Sequence, residues 1–238
     1  MNVVHLILIF WISKTLHPPM KKLLLLLFLL SFFSVSTIAQ DWAQLGEYQQ
    51  ANKLLVQNKS MEKQIVFFGN SITIGWLHTQ PSFFKDKPYI NRGIGGQTTP
   101  QMLVRFRQDV IDLKPTVVVI LAGTNDIAGN TGPMTLEETL ANLKSMTELA
   151  QANNISVILC SVLPASDYPW RPGLRPDLKI PKLNAMIKKY AEENDVIYLD
   201  YFTAMVNDQK GLDPDLAEDG VHPTKKDMKL WRHLLKWQ

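Results

Sequence analysis

After its first forty residues the chain alternates short β-branched and aromatic runs with longer stretches whose apolar positions recur every three or four residues. That alternation is the pattern of a parallel sheet wrapped by helices. Five strands are expected: "QIVFFG" (64–69), "YINRGI" (89–94), "TVVVILAG" (116–123), "ISVILCSV" (155–162) and "VIYLD" (196–200). The third and fourth are almost continuously apolar, as strands covered on both faces are, and should be central. Helices are expected at about 41–57, 99–112, 135–152, 178–194 and 224–236. In the third of these Leu136, Leu140, Leu143, Met146 and Leu149 repeat at helical spacing, with Thr135 and Glu138 as a cap. Those apolar positions belong to a core. The rhythm breaks at "LPASDYPWRPGLRPDLKIP" (163–181), which holds five of the fourteen prolines. It is too long for a tight connection, and is expected to form a binding edge or a rigid surface loop.

The first residues obey a different logic. From Met20, "MKKLLLLLFLLSFFSVSTIAQ" presents two lysines, an apolar run and small residues at Thr37 and Ala39, the three parts of a secretory signal peptide. Cleavage after Ala39 is expected, with translation starting at Met20, and residues 1–39 are set apart from a single domain at 40–238. The protein is then periplasmic or secreted, with no stable membrane anchor after cleavage. Of 25 basic side chains against 22 acidic ones, Lys14, Lys21 and Lys22 lie in this leader, which carries no acid. The remainder is electrically balanced, which argues against a nucleic-acid partner. The one cysteine, Cys160, sits inside an apolar strand and reads as a small buried hydrophobe.

In open parallel sheets ligands bind beyond the carboxyl ends of the strands, so the residues just past each strand carry the chemistry. The first strand delivers Gly69, Asn70 and Ser71; the second "GIGGQTT"; the third "AGTND"; the chain after the fifth delivers "EDGVHP". A serine nucleophile needs a base, a group to orient that base, and donors for an oxyanion. Of the histidines past the leader, His78 comes after the Ser71 turn and His233 lies among Lys and Trp near the end. His222 sits in "DGVHPT" three residues after Asp219, so both side chains can leave one turn. The pair reads either as base and orienting acid or as a carboxylate cap beside an exposed histidine. Gly95 and Gly96 offer close backbone approach for an anion, and Asn125 offers an uncharged donor or a local turn tie. "GIGGQTT" lacks the lysine of a phosphate loop and the third glycine of a dinucleotide fingerprint. The scattered histidines and lone cysteine do not suggest a metal site, and no cofactor is expected.

Together these blocks make the chain resemble the SGNH hydrolases, or GDSL esterases and lipases. "GNSIT", "NRGIGGQT", "AGTND" and "DGVHP" occur in the family's order across nearly the whole of residues 40–238. The resemblance implies a flavodoxin-like three-layer α/β/α sandwich with a five-stranded parallel sheet. It also implies Ser71 as nucleophile and backbone donor, Gly96 as second backbone donor, Asn125 as side-chain donor, and Asp219 with His222 completing a triad. Two positions depart from the pattern: Asn70 replaces the family's usual Asp, and Thr73 replaces a Gly. Asn70 keeps a turn-forming acceptor without a negative charge, so activity is expected to survive the change. The expectation is a serine ester hydrolase acting through an acyl-enzyme on a small-molecule or glycan ester, with O-deacetylation of a carbohydrate foremost. Trp76, Tyr168 and Trp170 are candidate sugar-stacking surfaces. A lysophospholipase or short-chain lipid esterase is the alternative enzyme, and a non-catalytic glycan-binding protein the alternative of another class.

Overall fold

A computed structural model of the chain describes residues 17–19, 22, 41–58, 63–213 and 215–224. The chain divides into two compact units, Met1–Gln40 and Asp41–Gln238, and the sheet and its helices belong to the second. The expected helix at 224–236, His233 and nearly all of the leader lie outside the described residues. No helix among the described residues is long and apolar enough to cross a membrane.

Five strands, β1 (Ile65–Gly69), β2 (Tyr89–Gly93), β3 (Val117–Leu121), β4 (Ser156–Cys160) and β5 (Ile197–Leu199), form one sheet in the order β2-β1-β3-β4-β5. Every pairing is parallel. Among the described residues of this unit the α-helices are α1 (Gln49–Asn58), α2 (Ser71–Thr79), α3 (Pro81–Phe84), α4 (Thr99–Asp109), α5 (Thr124–Ile127), α6 (Leu136–Gln151), α7 (Pro176–Glu193) and α8 (Tyr201–Met205). This is the flavodoxin-like order, whose switch point lies between β1 and β3. The period of two along each strand divides the core. Val66, Phe68, Val118, Ile120, Val157 and Leu159 pack with Met102 and Phe106 of α4, Leu143 and Met146 of α6, and Ile187 of α7. The alternate positions Phe67, Val119, Leu121, Ile158 and Cys160 pack with Ile72 and Trp76 of α2, Phe83 and Phe84 of α3, and Met205 of α8. Burial of Cys160 in that second layer pushes its thiol pKa up.

All five expected strands form, and β3 and β4 both lie inside the sheet. The Thr135–Glu138 cap forms as well: Glu138 N donates to Thr135 Oγ1 at 3.1 Å and Thr135 N to Glu138 Oε2 at 2.8 Å. Two helix starts differ from expectation. Residues 41–48 turn instead of coiling, because the Asp41 carboxylate accepts from Leu45 N and Gly46 N, each at 2.8 Å, so α1 begins at Gln49. α7 begins at Pro176, whose missing N–H costs nothing in the first turn, and this takes six residues from the Pro-rich loop.

Helices α2, α3, α5 and α8 were not expected. The first of them matters most for the site. Its sequence "SITIGWLHT" is β-branched and carries a glycine, both poor for helix, but Asn70 caps it by accepting from Ile72 N at 3.0 Å. Two strand-end glycines let it sit close. A Cβ on Gly69 would lie 2.0 Å from Thr73 Oγ1, and one on Gly93 would lie 2.3 Å from Ile74 N.

Candidate active site

Ser71 is the first residue of α2, at the carboxyl end of β1, so its side chain stands where the unpaired N–H groups and the positive end of the helix dipole lie. Its Oγ is 2.8 Å from His222 Nε2. On the other side of the imidazole, His222 Nδ1 is 2.6 Å from Asp219 Oδ2. A proton on Nδ1 directed to the carboxylate leaves the Nε2 lone pair facing the serine hydroxyl. The segment holding the pair is fixed from beneath. Asp219 Oδ1 accepts from Val221 N at 3.0 Å and His222 N at 2.7 Å, Gly220 turns the chain at φ +74, and Val221 is buried in the core. Burial pushes the Asp219 carboxyl up, but hydrogen bonds from the His222 N–H, the His222 ring and the Val221 N–H outweigh it and hold it below its ordinary value. One carboxylate thus both caps its own turn and holds the His222 ring.

The strand ends bring the other candidates to the same edge. Gly69 pairs with Gly93 of β2 and with Leu121 of β3, so the three strands finish level. Gly96 lies on the exposed turn after β2 at φ +75, a conformation that favours glycine, and its carbonyl accepts from Asn130 Nδ2 at 3.0 Å. Asn125 is buried on α5, and its Nδ2 donates to the Gln97 carbonyl at 2.9 Å. This bond ties the turn after β3 to the residue next after Gly96.

The three aromatic candidates from the sequence are placed differently from one another. Trp76 is 1% exposed, stacked on Phe83 at 4.2 Å and edge-on to Phe67, so it is core and offers no surface to a sugar. Tyr168 is 0% exposed and is likewise closed to a ligand. The apolar bulk of both rings is satisfied by packing. Trp170 is 42% exposed, with its ring centroid 6.1 Å from that of His222. His78 is exposed at the end of α2, and among the described residues no group of three His, Cys, Asp or Glu is placed to hold a metal ion.

Sequence reasoning missed a buried polar group behind the site. The Arg105 guanidinium, on α4, donates to Gly69 O at 2.9 Å, Gln97 Oε1 at 2.6 Å and Asp109 Oδ2 at 2.9 Å. Asp109 Oδ1 accepts from Asn52 Nδ2 at 2.7 Å, and Asn52 Oδ1 accepts from Arg92 Nε at 2.9 Å. Burial lowers the pKa of both arginines against the opposing pull of Asp109. A signal for it existed: Met102, Arg105, Phe106 and Asp109 fall on one face at helical spacing, so an oppositely charged pair interrupts an otherwise apolar stripe.

A family model described as GDSL-like Lipase/Acylhydrolase matches residues 67–229, more than half of the chain. The chain belongs to the GDSL-like lipase/acylhydrolase family. It is accordingly a carboxylic ester hydrolase. The structure is similar to that of a GDSL-like lipase from Bacteroides thetaiotaomicron, at 48% identity and TM-score 0.78 over 82% of this chain and 96% of that one. Esterase TesA of Pseudomonas aeruginosa is 25% identical over 183 residues, 75% of this chain and 83% of TesA. An acetylxylan esterase from Geobacillus stearothermophilus shares the GDSL fold at 22% identity and TM-score 0.58, over 73% of this chain and 92% of its own. A short match of 39 residues, 54% identical, relates the chain to the uncharacterized lipoprotein YqeF of Bacillus subtilis, covering 16% of each.

Proposed function

We propose that this family member is an exported serine ester hydrolase that removes O-acyl groups from a carbohydrate through an acyl-enzyme. The observation that carries the chemistry is the run Ser71 Oγ–His222 Nε2–Asp219 Oδ2, with steps of 2.8 and 2.6 Å across His222. His222 takes the Ser71 proton as Oγ bonds to the ester carbon. The oxyanion is received by the Ser71 and Gly96 N–H groups and the Asn125 amide, and collapses as the C–O bond to the alcohol breaks. His222 returns its proton to the departing alkoxide oxygen. Water then repeats the sequence: its proton goes to His222, its oxygen to the acyl carbon, and Ser71 leaves with the proton as the free acid departs. Asp219, held ionised by the three hydrogen bonds it accepts, supports the imidazolium at both stages. The carbohydrate assignment draws on the open indole of Trp170 beside His222 and on the export signal in the sequence.

Purified protein lacking residues 1–39 is expected to hydrolyse a short-chain aryl ester. Ser71→Ala should lower the rate by about 10⁴-fold or more while leaving circular dichroism and thermal unfolding unchanged. Equal rates for the two proteins would end the mechanism. On a panel of acetylated glycans and lysophospholipids, acetate release from glycans is expected; fatty acid from lipids with no acetate from any glycan would replace the substrate class.

A further inference from the structure

The loop after β4 carries a built surface at the site's edge. Trp170 lies on the buried ring of Tyr168, centroids 5.1 Å apart and 26° from parallel, so one indole face is backed by protein and the residue remains 42% exposed. Tyr168 OH reaches Thr124 Oγ1 at 3.4 Å, beside Asn125. The loop is held on both sides of the indole. The Asp167 carboxylate accepts from Tyr168 N at 2.8 Å and Gly173 N at 3.0 Å. Arg171 Nη1 donates to Gly129 O at 2.7 Å and Ala128 O at 3.2 Å, on the turn just past α5. A Cβ on Gly129 would come within 3.1 Å of that guanidinium. An exposed tryptophan on so fixed a support is pre-ordered for a ligand, so little rotamer freedom is lost on binding.

The sheet order says which part of an ester meets it. The oxyanion donors come after β1, β2 and β3, whereas Trp170 comes after β4 and His222 after β5, on the other half of the sheet. In acyl transfer the leaving oxygen must approach His222 Nε2 to collect its proton, so the body of the alcohol extends along the imidazole side. We propose that Trp170, backed by Tyr168 and clamped by Arg171, is the wall of an alcohol-side subsite that selects leaving alcohols with a flat C–H ring face, a pyranoside in particular. The acyl group lies away from it. This subsite rests on Ser71 as nucleophile and His222 as its base.

The test uses two ester series on the purified protein. In the first the acyl group is always acetyl and the alcohol is ethanol or the 6-hydroxyl of methyl glucopyranoside. In the second the alcohol is always ethanol and the acid is acetic or butyric. For Trp170→Ala the pyranoside-to-ethyl ratio of kcat/KM is expected to fall about tenfold, and for Arg171→Gln about threefold, with the butyrate-to-acetate ratio unchanged in both. Trp170→Phe should restore part of the loss. A pyranoside ratio that does not move, a change in the acyl ratio, or a wild-type enzyme inactive on the pyranoside ester would each overturn the subsite. Ser71→Ala is run alongside: if it retains hydrolysis the catalytic reading fails, whereas an inactive Ser71→Ala with an unmoved pyranoside ratio removes the subsite alone.

Discussion

At the scale of single residues, Asp126 shows what it costs to keep a neighbour in place. It comes directly after Asn125, and its Oδ1 accepts from the backbone N–H of Thr99 at 2.9 Å and from the Thr99 hydroxyl, joining α5 to the start of α4. Its Oδ2 is buried with no hydrogen-bond partner among the described residues. Desolvation raises its pKa, and the Thr99 bonds offset that only in part. A carboxyl raised in the folded state binds more protons folded than unfolded, so stability falls as pH rises from the ordinary value of about 3.9 through the folded one. Asp126→Asn removes that dependence while keeping an acceptor for Thr99. In denaturant titrations the variant should be more stable than wild type at neutral pH, with the advantage shrinking on acidification; the same difference at pH 4 and pH 8 would contradict the assignment. Nothing in "TND" foretold this strain, because burial of one carboxylate oxygen is a property of the packing around it.

Among the elements, α4 does more than cover the sheet. Through Arg105 it holds the carbonyl two residues before Ser71 and the side chain immediately after Gly96, the two turns whose N–H groups face the oxyanion in the proposed mechanism. Arg105→Met should cost about 3–5 kcal/mol of stability, because Asp109 is left buried without its ion pair. The double variant Arg105→Met with Asp109→Leu should regain much of that stability but not the turnover number, since Gly69 and Gln97 still lack their common donor. Full recovery of kcat in the double variant would reduce Arg105 to packing. The helical spacing of α4 was legible, as was that of α6, because both present one apolar stripe to the sheet. α2 was not. Its nine residues have neither the spacing nor the propensity of a helix and are held by the Asn70 cap and by contact through Gly69 and Gly93.

For the whole molecule, the fold class was readable because all five strands carry their own pattern, and the first three run straight into blocks of small polar residues. At the candidate site the structure brings Ser71, Asp219 and His222 together. Of the aromatic candidates Trp76 and Tyr168 are buried and Trp170 is exposed, because a tryptophan beside a strand end serves a core as readily as a surface, and the sequence does not tell depth. The proposed export adds an expectation about the first unit of the chain. Mass spectrometry of protein recovered from the secretory fraction should find Gln40 as the amino terminus; retention of Met20 would show an uncleaved anchor. In the proposed mechanism the two groups that exchange the proton lie 151 positions apart in sequence, one just after the first strand and the other past the last. No fragment released by a single cut between them carries both, and a chain synthesised only as far as Val221 has the serine but not His222. Under the proposed mechanism, hydrolysis therefore begins only when the turn holding His222 has folded back onto the one holding Ser71, which gives the protein a built-in delay between its birth and its activity.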